Sequence, residues 1–498
     1  MRELQIAFIT NAEIRRTMRI LTILEREQQF TIVELSERLT ISQRTMIKDI
    51  QSIKNYFGDS ISLVSQHKGF YFEEQNRLTY YEKKEQLMEQ EVLFEIIESI
   101  FYGERLPIDE WAHRYSYAES TLRRFFSRTQ PILMSYGLTM TFNPVDFQGP
   151  EANIRKFFFD FYYAGEQTPH TIRPPEGLHP MVLQELAGNL GTYELGTGTT
   201  VSAFYYHLYI TMVRVEQGRL VTLPDWLREI DYQEKDFQLL YSLQAIIKKE
   251  YGIFLPKSEF SWLHLSVITK RTIHRRDQEI VFSQRFNRWP AIERLVAEYL
   301  SNPFFDQWET EMLKNFITSF FVSRKINDAI SPVLNKELVE VTTIVKKNHR
   351  NLYDKHTAFL GNHVKELSFS STDLEEIVVS FTMYMNMLLQ AYQPKKKVLF
   401  LLEGDYLLVQ SIRLQARQQL GETHELLFLP LQELTQQRLT AQQVDLIVTN
   451  YRPYLFEYHI QANYVLMNTL PDANDWVRIK HRLNPRADQL LIKAKRKK

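Results

Sequence analysis

Residues 41–58 read ISQRTMIKDIQSIKNYFG, and the fold of the whole N-terminal third turns on how this stretch divides its side chains. Ser42 suits a helix N-cap, Met46, Ile47, Ile50, Ile53 and Phe57 recur at three- and four-residue steps, and Gly58 suits the end. That predicts a helix with one buried stripe. Its leading edge is left with Ser42, Gln43, Arg44, Thr45 and Lys48, all able to donate to phosphates or base edges. Upstream, Ile14, Met18, Leu21 and Leu24 trace a first helix, and Thr31 with Glu34 forms a capping box for a second over residues 32–39. Downstream, ISLVSQHKGFYFEE (61–74) predicts a hairpin with His67 and Lys68 at its tip. Three helices and a hairpin in this order make a winged helix-turn-helix, whose third helix enters the major groove.

The plan recurs. Glu82 to Tyr102 is expected to be one long helix with Leu87, Val92, Leu93, Ile96, Ile97 and Ile100 inward, and Pro107 opens a short second helix. YAESTLRRFFSRTQPILMSYG (117–137) then lies on the first copy with Tyr117 on Ile41, Ser120 on Arg44, Thr121 on Thr45 and Leu122 on Met46. Arg123, Arg124 and Arg128 make this second helix the more basic one, and LTMTFNPVDFQG (138–149) is its expected wing.

A chain of 498 residues, 44% hydrophobic, has room for roughly three to five domains. It has no cysteine, which removes disulfides, thiolate zinc sites and cysteine nucleophiles. No apolar run reaches the roughly 18 residues of a membrane span and no signal-peptide core is visible, so a cytoplasmic protein with no membrane partner is expected. Lys+Arg and Asp+Glu both number 60, so binding to nucleic acid must rest on local basic patches.

From Gly149 to Pro394 the pattern is helical and aromatic, with no phosphate loop, no metal-binding cluster and no catalytic carboxylate pair. His207 in VSAFYYHLYITMVRVEQGR and His264 in SEFSWLHLSVITKR stand in similar helical settings, where a hydrogen-bonded core histidine is the common outcome. His349, His356 and His363 recur every seven residues, about 10.5 Å apart along one helix, too far to share a metal; a polar or interface face is expected, with phosphorylation as the alternative. After residue 395, VLFLLEGD, a helix over 411–420, HELLFLPL, a polar helix, VDLIVTN, ANYVLMN and a last helix DANDWVRIKHRL predict a small parallel α/β sheet. The tail KAKRKK is expected to be a solvated basic end.

This order of elements resembles the Mga and AtxA group of bacterial virulence regulators, transcription factors carrying phosphotransferase-system regulation domains. The resemblance implies a mainly α multidomain protein: winged helix-turn-helix 1 (1–75), helix-turn-helix 2 (76–148), two all-helical regulation domains (149–285 and 286–394) and an α/β domain similar to enzyme IIB (395–498). It also implies double-stranded DNA as partner, transcription activation, a homodimer, and phosphorylation of His207 and His264 by the phosphocarrier protein of the sugar phosphotransferase system. A phosphoryl group would bring roughly two negative charges to either site. The second helical domain departs from the pattern, with Ile317 and Ser380 at the positions matching those histidines. In the last domain Glu403 stands near the position of the phosphoryl-carrying cysteine, beside Asp405, so no catalytic residue and no cofactor are expected. The rivals are a phosphotransferase component acting on sugar, an RNA-binding antiterminator with paired regulation domains, and a helical scaffold without nucleic acid.

Overall fold

Side-chain caps set the first elements. The computed structural model describes residues 1–66, 69–186, 200–369, 373–429, 444–457 and 463–483. After α1 (Glu3–Phe8), Asn11 accepts from the amides of Glu13 and Ile14 and opens α2 (Ala12–Glu27). The Thr31–Glu34 capping box opens α3 (Ile32–Leu39), and Ser42 Oγ accepts from Thr45 N at 3.2 Å to open α4 (Gln43–Phe57). β2 (Ile61–Gln66) and β3 (Gly69–Glu74) form the antiparallel hairpin, and β1 (Gln29–Phe30) adds to β3. Phe30 stacks on Phe70 across that pairing, with centroids 5.7 Å apart.

The expected long helix over 82–102 is two helices, α5 (Arg77–Gln86) and α6 (Val92–Tyr102). The break has a physical reason at Glu91. Its buried carboxylate accepts from Thr10 N (2.6 Å), Thr10 Oγ1 (2.7 Å) and Asn11 N, so the turn before α6 is pinned to the start of α2. α5 instead packs back onto the first unit, Tyr80 against Phe57 and Phe72 and Lys84 on Glu25 at 2.7 Å. α7 (Ile108–Arg114), α8 (Glu119–Ser135), β4 (Thr139–Phe142) and β5 (Val145–Gln148) complete the second unit.

The repeat holds in the burial register. Met46, Ile50, Ile53 and Phe57 on α4 fall on Leu122, Phe126, Thr129 and Leu133 on α8, and all eight are buried. Ile47 is the exception to the expected stripe, because it lies 58% exposed. Its counterpart Arg123 is exposed too.

α9 (Glu151–Phe158) leaves the second wing and continues through a wide helical turn at Phe159–Tyr163. α10 (Leu178–Leu186), α11 (Val201–Glu216), α12 (Asp225–Asp231), α13 (Lys235–Tyr241), α14 (Leu243–Tyr251) and α15 (Lys257–Ile268) form the first helical bundle. α16 (Arg276–Phe286) lies along α18 (Thr310–Ile330), with α17 (Pro290–Leu300), α19 (Val339–Asn348), α20 (Arg350–Leu367) and α21 (Leu374–Ala391) around them. One apolar cluster runs through both bundles, from Ala152 to Leu389. Among the described residues no helix is long and apolar enough to cross a membrane.

The last part is a four-stranded parallel sheet in the order β7 (Glu425–Phe428), β6 (Lys397–Leu401), β8 (Leu446–Thr449), β9 (Tyr464–Leu466). The helix after β6, α22 (Tyr406–Leu420), starts five residues earlier than the expected 411, since Asp405 Oδ1 caps Leu407 N at 2.9 Å. The closing helix is Ala473–Leu483. The expected polar helix before VDLIVTN and the KAKRKK tail lie outside the described residues.

Candidate nucleic-acid interface and histidine sites

α4 is fixed from behind. Asp49, 4% exposed, receives Arg16 Nε (2.8 Å) and Nη2 (3.0 Å) from α2, while Met46, Ile50 and Ile53 bury the same side. That fixes the outward face as Gln43, Arg44, Ile47, Lys48 and Gln51. Among the described residues neither Arg44 nor Lys48 has an acidic partner, so both charges face solvent. Ser42 serves mainly as the cap and shares its hydroxyl with Thr45 Oγ1 at 2.9 Å. His67 and Lys68 lie outside the described residues.

α8 is more basic in sequence yet less free. Arg123 pairs with Glu119 at 2.6 Å and lies 4.6 Å from the Phe142 ring of its own wing. Arg128 donates to the Ile9 carbonyl at 2.7 Å, and burial with the neighbouring Arg15 charge holds its pKa below the ordinary value. Ser120 and Arg124 are exposed and Thr121 half-buried, so Arg124 is the one cation of this run without a partner among the described residues.

The two candidate histidines, alike in sequence, have different surroundings. His207 on α11 stacks on Phe159 (centroids 4.0 Å, planes 10° apart) and lines a pocket of about 50 Å³. Lys156, Ser266, Thr269, Lys270 and Asn327 line it as well, so the pocket draws on α9, α11, α15 and α18. Space of that size admits roughly three waters. Burial, then the charges of Lys270, Lys156 and Arg155, push His207 down to about 3, so its imidazole is neutral at pH 7. His264 is 1% exposed, its Nδ1 bonded to Asp231 Oδ1 at 2.6 Å while Ser261 donates to Asp231 Oδ2 at 2.5 Å.

The histidines of the second bundle do not form the expected polar face. His349 sits between α19 and α20 rather than within a helix. His356 is fully buried between Tyr299 OH and Thr382 Oγ1, each at 2.9 Å. Thr382 already donates to the Val378 carbonyl, so His356 Nδ1 carries the proton and Nε2 accepts from Tyr299. His363 bonds the Phe359 carbonyl and Glu298, which raise its pKa although burial opposes them. Ile317 and Ser380, the residues aligned with the first-bundle histidines, are both buried. Among the described residues no group of His, Asp and Glu could hold a metal. In the α/β part, the Glu403 carboxylate accepts from Tyr454 OH and its amide donates to Asn450 at 2.9 Å.

Sequence reasoning missed Lys156 and Lys270 as partners of His207. Lys270 lies in the SVITKR run two residues past the end of α15, but its approach to α11 depends on helix packing that no local pattern encodes. It also missed the buried lattice in which Arg155 binds Glu259 (2.6 Å) and Glu151 (3.1 Å) while Arg214 binds Glu151 (2.8 Å).

Residues 12–69 match the model of the M protein trans-acting positive regulator (MGA) HTH domain, and residues 73–162 match that of the Mga helix-turn-helix domain. The capsule synthesis positive regulator AcpB of Bacillus anthracis is 22% identical over 307 residues, 58% of this chain. That match spans 61% of the relative's length. Two family models in tandem, laid on a repeat that the burial register displays independently, make residues 12–162 a paired helix-turn-helix module similar to that of Mga-type regulators.

Proposed function

We propose that the chain is a DNA-binding positive transcription regulator of the cytoplasm, working as a homodimer, with α4 in the major groove and the face of α8 on adjacent DNA. The observation that carries this is the outward face of α4, where Arg44 and Lys48 stand unpaired among the described residues on a helix fixed by the Arg16–Asp49 pair. Ser42, Gln43 and Thr45 add donors at its start, and Ser120, Thr121, Arg123 and Arg124 are the corresponding contacts of α8. The relative's name as a positive regulator supports activation. Binding to mixed genomic duplex DNA, followed by anisotropy across a salt series, tests it. Each phosphate contact removed lowers the slope by about 0.9, so Arg44→Ala with Lys48→Ala lowers it by up to about two. A slope equal to wild type sinks the reading, and tighter binding to hairpin RNA than to duplex DNA replaces it.

Regulation is assigned to phosphorylation of His207 by the phosphocarrier protein: the P–N bond on the carrier breaks and one forms on a ring nitrogen here. A neutral imidazole is the competent acceptor, and Lys156 and Lys270 stand ready to hold the new charge. His264 is the less accessible of the pair. The α/β part, whose sequence resembles enzyme IIB with Glu403 near the position of the nucleophile, serves assembly rather than chemistry.

A further inference from the structure

An exposed isoleucine is unremarkable by itself; its position decides what it means. Ile47 lies 58% exposed on α4, one turn from Arg44, beside Lys48 and one turn before Gln51. Major-groove helices read bases from side chains at this i, i+3, i+4, i+7 spacing. Buried Met46 and Asp49 flank Ile47, so the helix cannot turn it inward without breaking the Arg16–Asp49 pair at 2.8 Å. The apolar group presented by a base edge in that groove is the thymine 5-methyl. On α8 the same position is Arg123, held by Glu119 and lying over Phe142, and the exposed neighbours Glu119, Ser120, Arg124 and Ser127 are all polar.

We infer that Ile47 is a specificity residue that packs on a thymine methyl, so that the first unit selects thymine at one position and the second unit does not. This rests on the DNA-binding reading above. Burying one methyl is worth about 0.8 kcal/mol, or about fourfold in affinity.

The test uses the full chain and a duplex pool recovered by selection on it, resynthesised with thymidine or with deoxyuridine, which removes the methyl alone. Wild type is expected to bind the thymidine form about fourfold tighter or more. Ile47→Ala, a surface change, should keep most of its affinity for the deoxyuridine form while its thymidine-to-deoxyuridine ratio falls by about fourfold. A wild-type ratio of one with strong binding overturns the inference and leaves DNA binding standing, as does an Ile47→Ala ratio equal to wild type. Failure of wild type to bind any duplex overturns both.

Discussion

Arg128 and Arg44 carry the same charge on comparable helices, and their surroundings assign them different work. Arg128 is committed to the Ile9 carbonyl, whereas Arg44 has no acidic partner among the described residues. Arg128→Ala is therefore expected to change the salt slope of DNA binding by well under one unit, while Arg44→Ala removes about 0.9; anisotropy titrations separate them. Sequence alone could not, because the carbonyl that holds Arg128 arrives from the far end of the N-terminal module. His356 makes the same point for protons. Burial, then Lys355, pushes it down to about 3, below the ordinary histidine value near 6.5, so the folded chain binds fewer protons than the unfolded one. Its contribution to stability is complete above about pH 6.5 and declines as pH falls toward 3, by up to about 1.4 kcal/mol per unit. Between pH 6.5 and 5 the wild type should lose about 2 kcal/mol more than His356→Asn, measured by urea midpoints; parallel losses would sink that assignment.

At the scale of elements, what was legible was local. Caps at Ser42 and Thr31, the hairpin, the alternation of strands and helices after residue 395 and the repeat between α4 and α8 all follow from short-range spacing. The split of residues 82–102 was not, because Glu91 ends a turn for the sake of Thr10 and Asn11, eighty residues away in sequence. α9 is the clearest case of long-range placement. It sends Phe157 and Phe158 into the core of the helix-turn-helix module, Arg155 onto Glu259 of the first bundle, and Asn153 to Ser331 beyond α18 at 2.5 Å. Glu259 is fully buried and also accepts from Val221 N at 2.8 Å. Glu259→Ala leaves the buried Arg155 guanidinium with Glu151, shared with Arg214, as its remaining carboxylate among the described residues and leaves the Val221 amide without this acceptor, and is expected to cost roughly 3 kcal/mol. The far-UV urea midpoint of the full chain should fall accordingly; an unchanged midpoint would mean that the lattice is not what ties α9 to the bundle.

Across the whole molecule, equal numbers of acidic and basic residues leave function to local fields, and the pocket around His207 is one of them. Its walls come from both bundles: His207, Ser266 and Lys270 from the first, Asn327, Ile330 and Leu334 from the second, with Lys156 on the helix that leads in from the helix-turn-helix module. A phosphoryl group there would meet two lysines and an amide and so draw the end of α18 toward α11 and α15, adding to the Asn153–Ser331 bond that already ties the turn after α18 to α9. Phosphorylation should therefore slow amide exchange across residues 324–335, at the end of α18 and the turn after it. The measurement compares the full chain before and after incubation with phosphorylated carrier protein, with His207→Ala as the control that should neither take up label nor change. His264→Ala should still take up label at His207, since its own ring is enclosed behind Asp231 and Ser261. Labelled protein with unchanged exchange at 324–335 would keep His207 as an acceptor and remove the pocket as the joint between the bundles. Label that survives His207→Ala and disappears in His264→Ala would move the site to α15 and require the bundle to open before the carrier can reach it.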